Sequence, residues 1–310
     1  MKGRRPMLLL LTWLLVSLVG LNSARPTEPR LQTRRQATVN KPLKFYIAVD
    51  SEGPTGVNEY WARNLKADSP DLGRYRKLVT ADVNAAIAGC FAAGADEVCV
   101  KDDGFRDKNL LPELLDKRAR LLPPGGPLLN GLDKSFSGVL LVGFHAMEGA
   151  ADGVLAHTWS SARRRRYWFN GREGGEVAVY ATVAGHDHQV PIVLATGCAG
   201  LGREVKQLLG KGVVTVAVKS VLEDGTVELL PATTTLPRIR AGAEQAVRQA
   251  SMLKPYRPVF PMKVRLQLSD KPTTDQYMGW RRDNKPDWPG RRAGPRTIEA
   301  LLTTTKHLNL

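Results

Sequence analysis

Asp50 and Glu52 close a short apolar run, Phe45-Tyr46-Ile47-Ala48-Val49, and lead into Gly53, Pro54 and Gly56. Residues two apart on an extended chain project to the same side, so at the end of a buried strand the two carboxylates aim at one point. Carboxylates held close together repel unless something positive sits between them, and a divalent ion would serve. The plainer reading is a polar turn after a strand. Further ionisable groups stand after other apolar runs: Asp102 and Asp103, His145, Glu176, and His157 in a loop close behind. Carboxylates and imidazoles without thiolate suit a hydrolytic zinc or manganese centre rather than a structural zinc knot. Asp50 would be the natural bridge if two ions lay about 3.5–4 Å apart. Taken singly, His145 reads as a satisfied core histidine, Glu176 as a solvated strand residue, and His186 and His188 as part of a solvated turn. Only the ensemble argues for a site.

Such an ensemble needs a scaffold that gathers strand ends. Leu78, Val79, Val83, Ala86, Ile87 and Phe91 recur at helical spacing over 75–93, with Gly94 as a stop. Lying between the strands 45–49 and 97–100, this helix predicts a right-handed parallel unit, and ligands collect beyond the carboxyl ends of such strands. Further strands are expected at 138–143, 190–195 and 213–218, with a helix between the last two. Tyr167–Asn170 and Glu176–Val183 read as a hairpin-like pair around Asn170-Gly171. Ile239–Leu253 is expected as an amphipathic helix and Pro258–Leu268 as a strand. The segment 270–294 reads as extended or partly ordered, and 297–307 as a short closing helix. The expected fold is α/β: a layered α/β/α arrangement with a mainly parallel sheet, over 43–268, plus a smaller C-terminal portion, a basic extension over 269–310.

The 43% apolar and 24% charged content are those of a globular protein. The net charge of +15 favours anionic partners in general. Arg163–Arg166 and the arginines at 281, 282, 291 and 292 form no aromatic-interleaved platform, so nucleic acid is not an expected partner. Cys90, Cys99 and Cys198 show no metal spacing, and Cys90 and Cys99 read as buried thiols. Residues 1–24 have the form of a secretory signal: Lys2, Arg4 and Arg5, an apolar stretch from Met7 to Leu21, then Ser23 and Ala24. That stretch is short for a membrane span, so no stable membrane insertion is expected, a retained anchor being the alternative. Residues 25–42 read as a flexible leader. The protein is expected outside the cytoplasm, periplasmic or extracellular.

V-D-S-E-G-P-T-G at 49–56, G-F-H-A at 143–146, G-V-L-A-H-T at 153–158 and G-G-E-V at 174–177 occur in the order and approximate spacing of one known family. In these motifs the chain resembles the M55 zinc-dependent D-aminopeptidases, also called dipeptide transport proteins, and the similarity runs from about Leu43 to the expected final helix. The resemblance implies an α/β architecture, a two-zinc site, ring-like homo-oligomers, and short peptides with N-terminal D-amino acids as substrates. It also implies that Asp50 bridges the metals, that Glu52 ligates the first, that His145 and Glu176 ligate the second, and that His157 is catalytic. One position departs. Gly104 stands where the family places a histidine ligand of the first metal, which leaves Asp103 as a substitute oxygen donor favouring manganese or magnesium, or leaves that metal weak or absent. Gly197-Cys198 likewise replaces an acidic pair.

The expected function is that of an exported metallo-aminopeptidase or related amidohydrolase, with His157 assisting as base or oxyanion stabiliser. The alternative is a non-catalytic or single-metal relative that binds peptide. A phosphoesterase built on Asp50 would need a phosphate cradle that the sequence does not contain.

Overall fold

A computed structural model of the chain describes residues 41–58, 69, 71–104 and 108–308. The expected signal segment and nearly all of the expected leader lie outside these residues, as does most of the loop expected after residue 58. Strand β1 (Lys44–Val49) lies inside a seven-stranded sheet. It pairs in parallel with β2 (Glu97–Asp102) on one side and with β4 (Gly138–Phe144) on the other. The edge beyond β2 is β3 (Arg120–Leu121), also parallel. Beyond β4 come β7 (Ile192–Cys198) and β8 (Val214–Val221), parallel, and then β9 (Val227–Leu229), antiparallel to β8. The chain thus builds outward from β1 in one direction and then resumes on its other side. The strand order reverses between β1 and β4, and an open sheet has its crevice at that switch point.

Burial on both faces explains why β1 is apolar at every position. Phe45, Ile47 and Val49 pack with Val79, Val83 and Ile87 of α1 (Leu72–Ala92) and with Ile239, Ala243 and Ala246 of α4 (Ala232–Gln249). A side chain of this size contributes about 1.5–3 kcal/mol when fully buried. Gly89 permits the close approach of α1 and α4, since a Cβ there would lie 2.3 Å from the Arg240 carbonyl oxygen. Tyr46 and Ala48 face the opposite core, which includes residues of α2 (Glu176–Thr182) and α3 (Ala199–Leu209). The layered α/β reading of the sequence agrees with this arrangement.

A smaller, wholly antiparallel sheet has the order β11-β12-β10-β5-β6, made of β5 (Arg166–Phe169), β6 (Arg172–Gly174), β10 (Met262–Gln267), β11 (Arg291–Gly294) and β12 (Thr297–Leu302). Met262, Val264 and Leu266 are buried while Lys263 and Arg265 are exposed, the alternation of a half-buried strand.

Four expectations about local structure are corrected. Glu176–Thr182 is a helix rather than a strand: all seven of its residues are buried, and a short run buried on every side has no periodicity to separate the two. Residues 271–284 form α5 (Lys271–Asn284) rather than extended chain. Asp270 caps it by accepting a hydrogen bond from the Thr273 N–H at 2.7 Å, with Pro272 in the first turn. Thr297–Leu302 is a strand rather than a helix, because Ile298, Ala300 and Leu302 recur every second residue and find β10. The helix expected from Ile239 begins earlier, at Ala232, and carries Pro237 within it. The three cysteines are free and buried.

Candidate active site

The exits of β1 and β4 meet because two glycines let backbone touch backbone. Asp50 extends the β1 ladder by donating its N–H to the Val142 carbonyl at 2.9 Å, and Gly53 N–H donates to the Gly143 carbonyl at 2.7 Å. A Cβ on Gly53 would lie 1.9 Å from the Phe144 carbonyl oxygen, and Gly143 holds φ +76°, which glycine adopts without strain. Asp50 and Glu52 therefore face His145 across the switch point. Glu176 arrives from the second sheet: β6 ends at Gly174, Gly175 N-caps α2, and Glu176 opens its first turn. Gly175 must be glycine here, because a Cβ would meet the Met147 Cβ at 2.5 Å.

His145 Nε2 lies 3.4 Å from Asp50 Oδ2 and 3.5 Å from Glu176 Oε1. Ligands held 2.0–2.1 Å from a tetrahedral zinc lie about 3.3 Å from one another. Asp50 Oδ1 accepts from the Ser51 N–H at 2.8 Å, whereas the buried Oδ2 has no hydrogen bond. A buried carboxylate oxygen without a donor, ringed by nitrogen and oxygen ligands at these separations, fits a zinc ion. The ligating atoms form two overlapping groups, Asp50–Glu52–His145 and His145–His157–Glu176, with all atoms in each within 4.8 Å of one another. His157 stacks on His145 with ring centroids 3.9 Å apart and planes 9° from parallel. Each ring has its Nδ1 on a main-chain carbonyl, Ala146 for His145 and Leu155 for His157, so Nδ1 donates there and Nε2 is the nitrogen each ring turns to the site. Leu155 and Trp159, at φ 56° and 60°, bracket His157 in left-handed conformations that non-glycine residues seldom adopt. The Trp159 N–H holds Glu176 Oε1 at 2.7 Å.

The charges respond to one another. Burial, with Glu52 and Glu176 close by, pushes the Asp50 carboxyl well up. Burial alone would lower His145, but Glu176, Asp50 and Glu52 outweigh it and hold the imidazole well above its ordinary value. Burial would likewise raise Glu52 and Glu176; the neighbouring histidines reverse this and keep both below the usual carboxylate range. Burial, reinforced by His145, lowers His157. These groups line a cavity of about 890 Å³ with Asp103, Gly104, Leu155 and Trp159 on its wall.

The structure thus brings together Asp50, Glu52, His145, His157 and Glu176. Asp103 lines the same cavity but belongs to neither ligand group; its Oδ1 is ion-paired with the buried Lys101 Nζ at 3.1 Å. A Cβ on Gly104 would crowd Asn109 Nδ2 at 2.9 Å and the Ser51 Cβ at 3.0 Å.

Sequence reasoning missed three buried charged residues behind this wall. Glu204 of α3 accepts from the Met147 N–H at 2.9 Å and the Gly175 N–H at 3.1 Å, so it ties together the loops that carry His145 and Glu176; burial raises its pKa. Its signal was a carboxylate on the apolar face shared by Leu201 and Val205. Asp82 of α1 accepts from the Thr55 N–H at 2.8 Å, and burial pushes it up to about 6. Lys219 lies at the carboxyl end of β8 beneath the turn after β1, and burial pulls it down to about 8.

An α/β protein with carboxylates and imidazoles converging at the switch point of its sheet is of the class that assembles hydrolytic metal centres. The chain belongs to the M55 peptidase family, described as D-aminopeptidase, whose match spans residues 43–284. It is 30% identical over 191 residues to a D-aminopeptidase of Bacillus subtilis (strain 168), covering 61% of this chain and 68% of the relative. Its fold is that of DppA from Bacillus subtilis, described as a zinc-dependent D-aminopeptidase and self-compartmentalizing protease. The TM-score is 0.74 at 24% identity, covering 85% of this chain and 93% of DppA. The family is one of metal-dependent peptidases, as the motifs implied.

Proposed function

We propose that this chain is an exported zinc-dependent aminopeptidase that removes N-terminal D-amino acids from short peptides and works as a homo-oligomer. The observation that carries the reading is the convergence of Asp50 Oδ2, His145 Nε2 and Glu176 Oε1, with Glu52 and His157 beside them, on one cavity wall. The zinc dependence of DppA supports the metal, the family description and the Bacillus subtilis relative support the D-specificity, and the self-compartmentalizing description of DppA supports assembly. Export rests on the basic-then-apolar opening at 1–24.

Asp50, His145 and Glu176 would hold the ion, with Glu52 beside Asp50. Bound zinc supplies a Lewis acid that polarises the scissile carbonyl and makes water more acidic. His157, held neutral by burial and with its Nδ1–H committed to the Leu155 carbonyl, offers Nε2 as the base for the attacking water. Glu52, held ionised, offers an anionic partner to the peptide's α-amino group. A cavity of about 890 Å³ admits a short peptide. Both ligand groups share the one His145 ring nitrogen that faces the site, which favours one tightly held ion per chain. The same observation favours a second reading, an exported protein that binds peptide without cleaving it.

Purified full-length chain should carry zinc by elemental analysis and release free D-alanine from D-Ala-containing dipeptides faster than L-alanine from their L counterparts. Zinc bound with no turnover of either peptide, but with peptide binding by calorimetry, would favour the binding protein. Absence of zinc binding would overturn the aminopeptidase reading.

A further inference from the structure

Lys219 is fully buried, and its ammonium faces three main-chain oxygens of the turn that follows β1. Nζ donates to the carbonyls of Glu52 at 2.6 Å, Pro54 at 3.2 Å and Val57 at 2.6 Å. An ammonium has three N–H donors, and all three are used, none on a carboxylate. Withdrawing an ammonium from water costs several kcal/mol unless its surroundings compensate, so an apolar side chain of equal length would serve better if filling space were its only task. The turn explains why a charge is there. Pro54 has no N–H to donate, Gly53 and Gly56 lend the backbone no stiffness, and after the Asp50 and Gly53 N–H groups have met the β4 carbonyls of Val142 and Gly143 the segment leaves the sheet. Three carbonyls turned inward, of which only Pro54's also meets a backbone donor (the Val57 N–H at 3.2 Å), form a cage of the sort that holds a small cation. The outer side of the same turn is pinned separately: the Thr55 N–H on Asp82, the Thr55 hydroxyl on Thr235, and the Tyr75 hydroxyl on the Ser51 carbonyl.

We propose that Lys219 is a positioning residue of the metal centre, a tethered internal cation whose ammonium gathers the carbonyls of residues 52, 54 and 57 and so fixes where the Asp50 and Glu52 carboxylates point. The inference rests on the reading of Asp50 as a zinc ligand with Glu52 placed beside it. It assigns β8, which contributes no ligand, the task of shaping the ligand-bearing turn after β1.

The test is zinc affinity by competition with a chelating dye, on full-length wild type, Lys219→Met and Lys219→Ala, with circular dichroism recording the fold. Wild type that binds no zinc would sink the metal reading itself; the lysine is judged only once wild type binds. Loss of outer groups that orient metal ligands weakens affinity by about 10–100-fold, and Lys219→Met is expected to fall in that range. Lys219→Ala should recover affinity when propylammonium is added and should not respond to 1-propanol, which fills the same space without charge. Wild-type affinity in Lys219→Met, or equal rescue by the amine and the alcohol, would overturn the proposal. If the alanine variant does not fold alone, the two additives are supplied during refolding: recovery of zinc binding with propylammonium only supports the tethered cation, and recovery with both or with neither rejects it.

Discussion

At the scale of single residues, the site separates ligand from base by what each histidine's neighbours do to it. Three carboxylates surround His145, while His157 is stacked on His145 and lowered by burial, and only the latter is suited to take a proton from water. His157→Ala should therefore lower kcat by about 10²–10⁴-fold. Its zinc content and thermal melt should stay at wild-type values; loss of zinc along with activity would make His157 a ligand instead. Asp82 gives a prediction that does not depend on metal. Its carboxyl is raised from 3.8 to about 6, so between those pH values the folded state holds a proton that the unfolded state releases. The stabilisation from the protonated form is complete below about pH 4 and is lost as pH rises through about 6, a swing of at most about 3 kcal/mol. Urea denaturation of wild type and Asp82→Asn from pH 4 to pH 7 should show that decline in wild type and not in the variant. Parallel curves would count against it.

At the scale of elements, the site is held together by close contact between strand exits. Gly53 sits where a Cβ would be 1.9 Å from the Phe144 carbonyl oxygen, and that oxygen belongs to the residue before His145. Gly53→Ala must push the β1 turn away from β4, separating Asp50 from His145. Overpacking of this kind costs about 1–3 kcal/mol, and here the backbone oxygen cannot move aside as a side chain would. The variant should melt lower and bind zinc more weakly, both readable in one calorimetric series; unchanged zinc affinity would show that the turn tolerates displacement. Much of this level was legible in advance: β1, β2, β4, β7 and β8 follow from apolar runs, and α1 from its periodicity. The helix at Glu176 was not, because a seven-residue segment buried throughout offers no polar face from which to read a period.

At the scale of the whole molecule, two couplings are expected. An ion that binds only the folded chain stabilises it by about 2.7 kcal/mol at a free concentration one hundred times Kd. Wild type treated with chelator should thus melt several degrees lower than the zinc-loaded protein, while Asp50→Asn should show little difference between the two conditions. The C-terminal segment also belongs to the fold rather than trailing from it: β12 pairs along the whole of β10, and α5 buries Thr274, Tyr277 and Met278. A chain ending at Leu268 would leave β10 with an unpaired edge, and an exposed edge of that length invites association. It should be recovered mainly in aggregates by size-exclusion chromatography, and a soluble, cooperatively melting product would contradict this.

The sequence alone determined the family, the α/β class and the identity of five converging side chains, because each is written in a short local pattern: an apolar run, a turn, and an ionisable residue at the point of exit. Tertiary structure alone decided what those patterns were buried against. It set Glu176 on a helix, gave Asp103 to Lys101, drew the C-terminal strands into a sheet with a mid-chain hairpin, and brought Lys219 beneath Glu52 across 167 residues of chain. Local patterns record that a residue leaves water but not which partner meets it, and for a buried charge the partner decides whether it binds, reacts or holds another group in place.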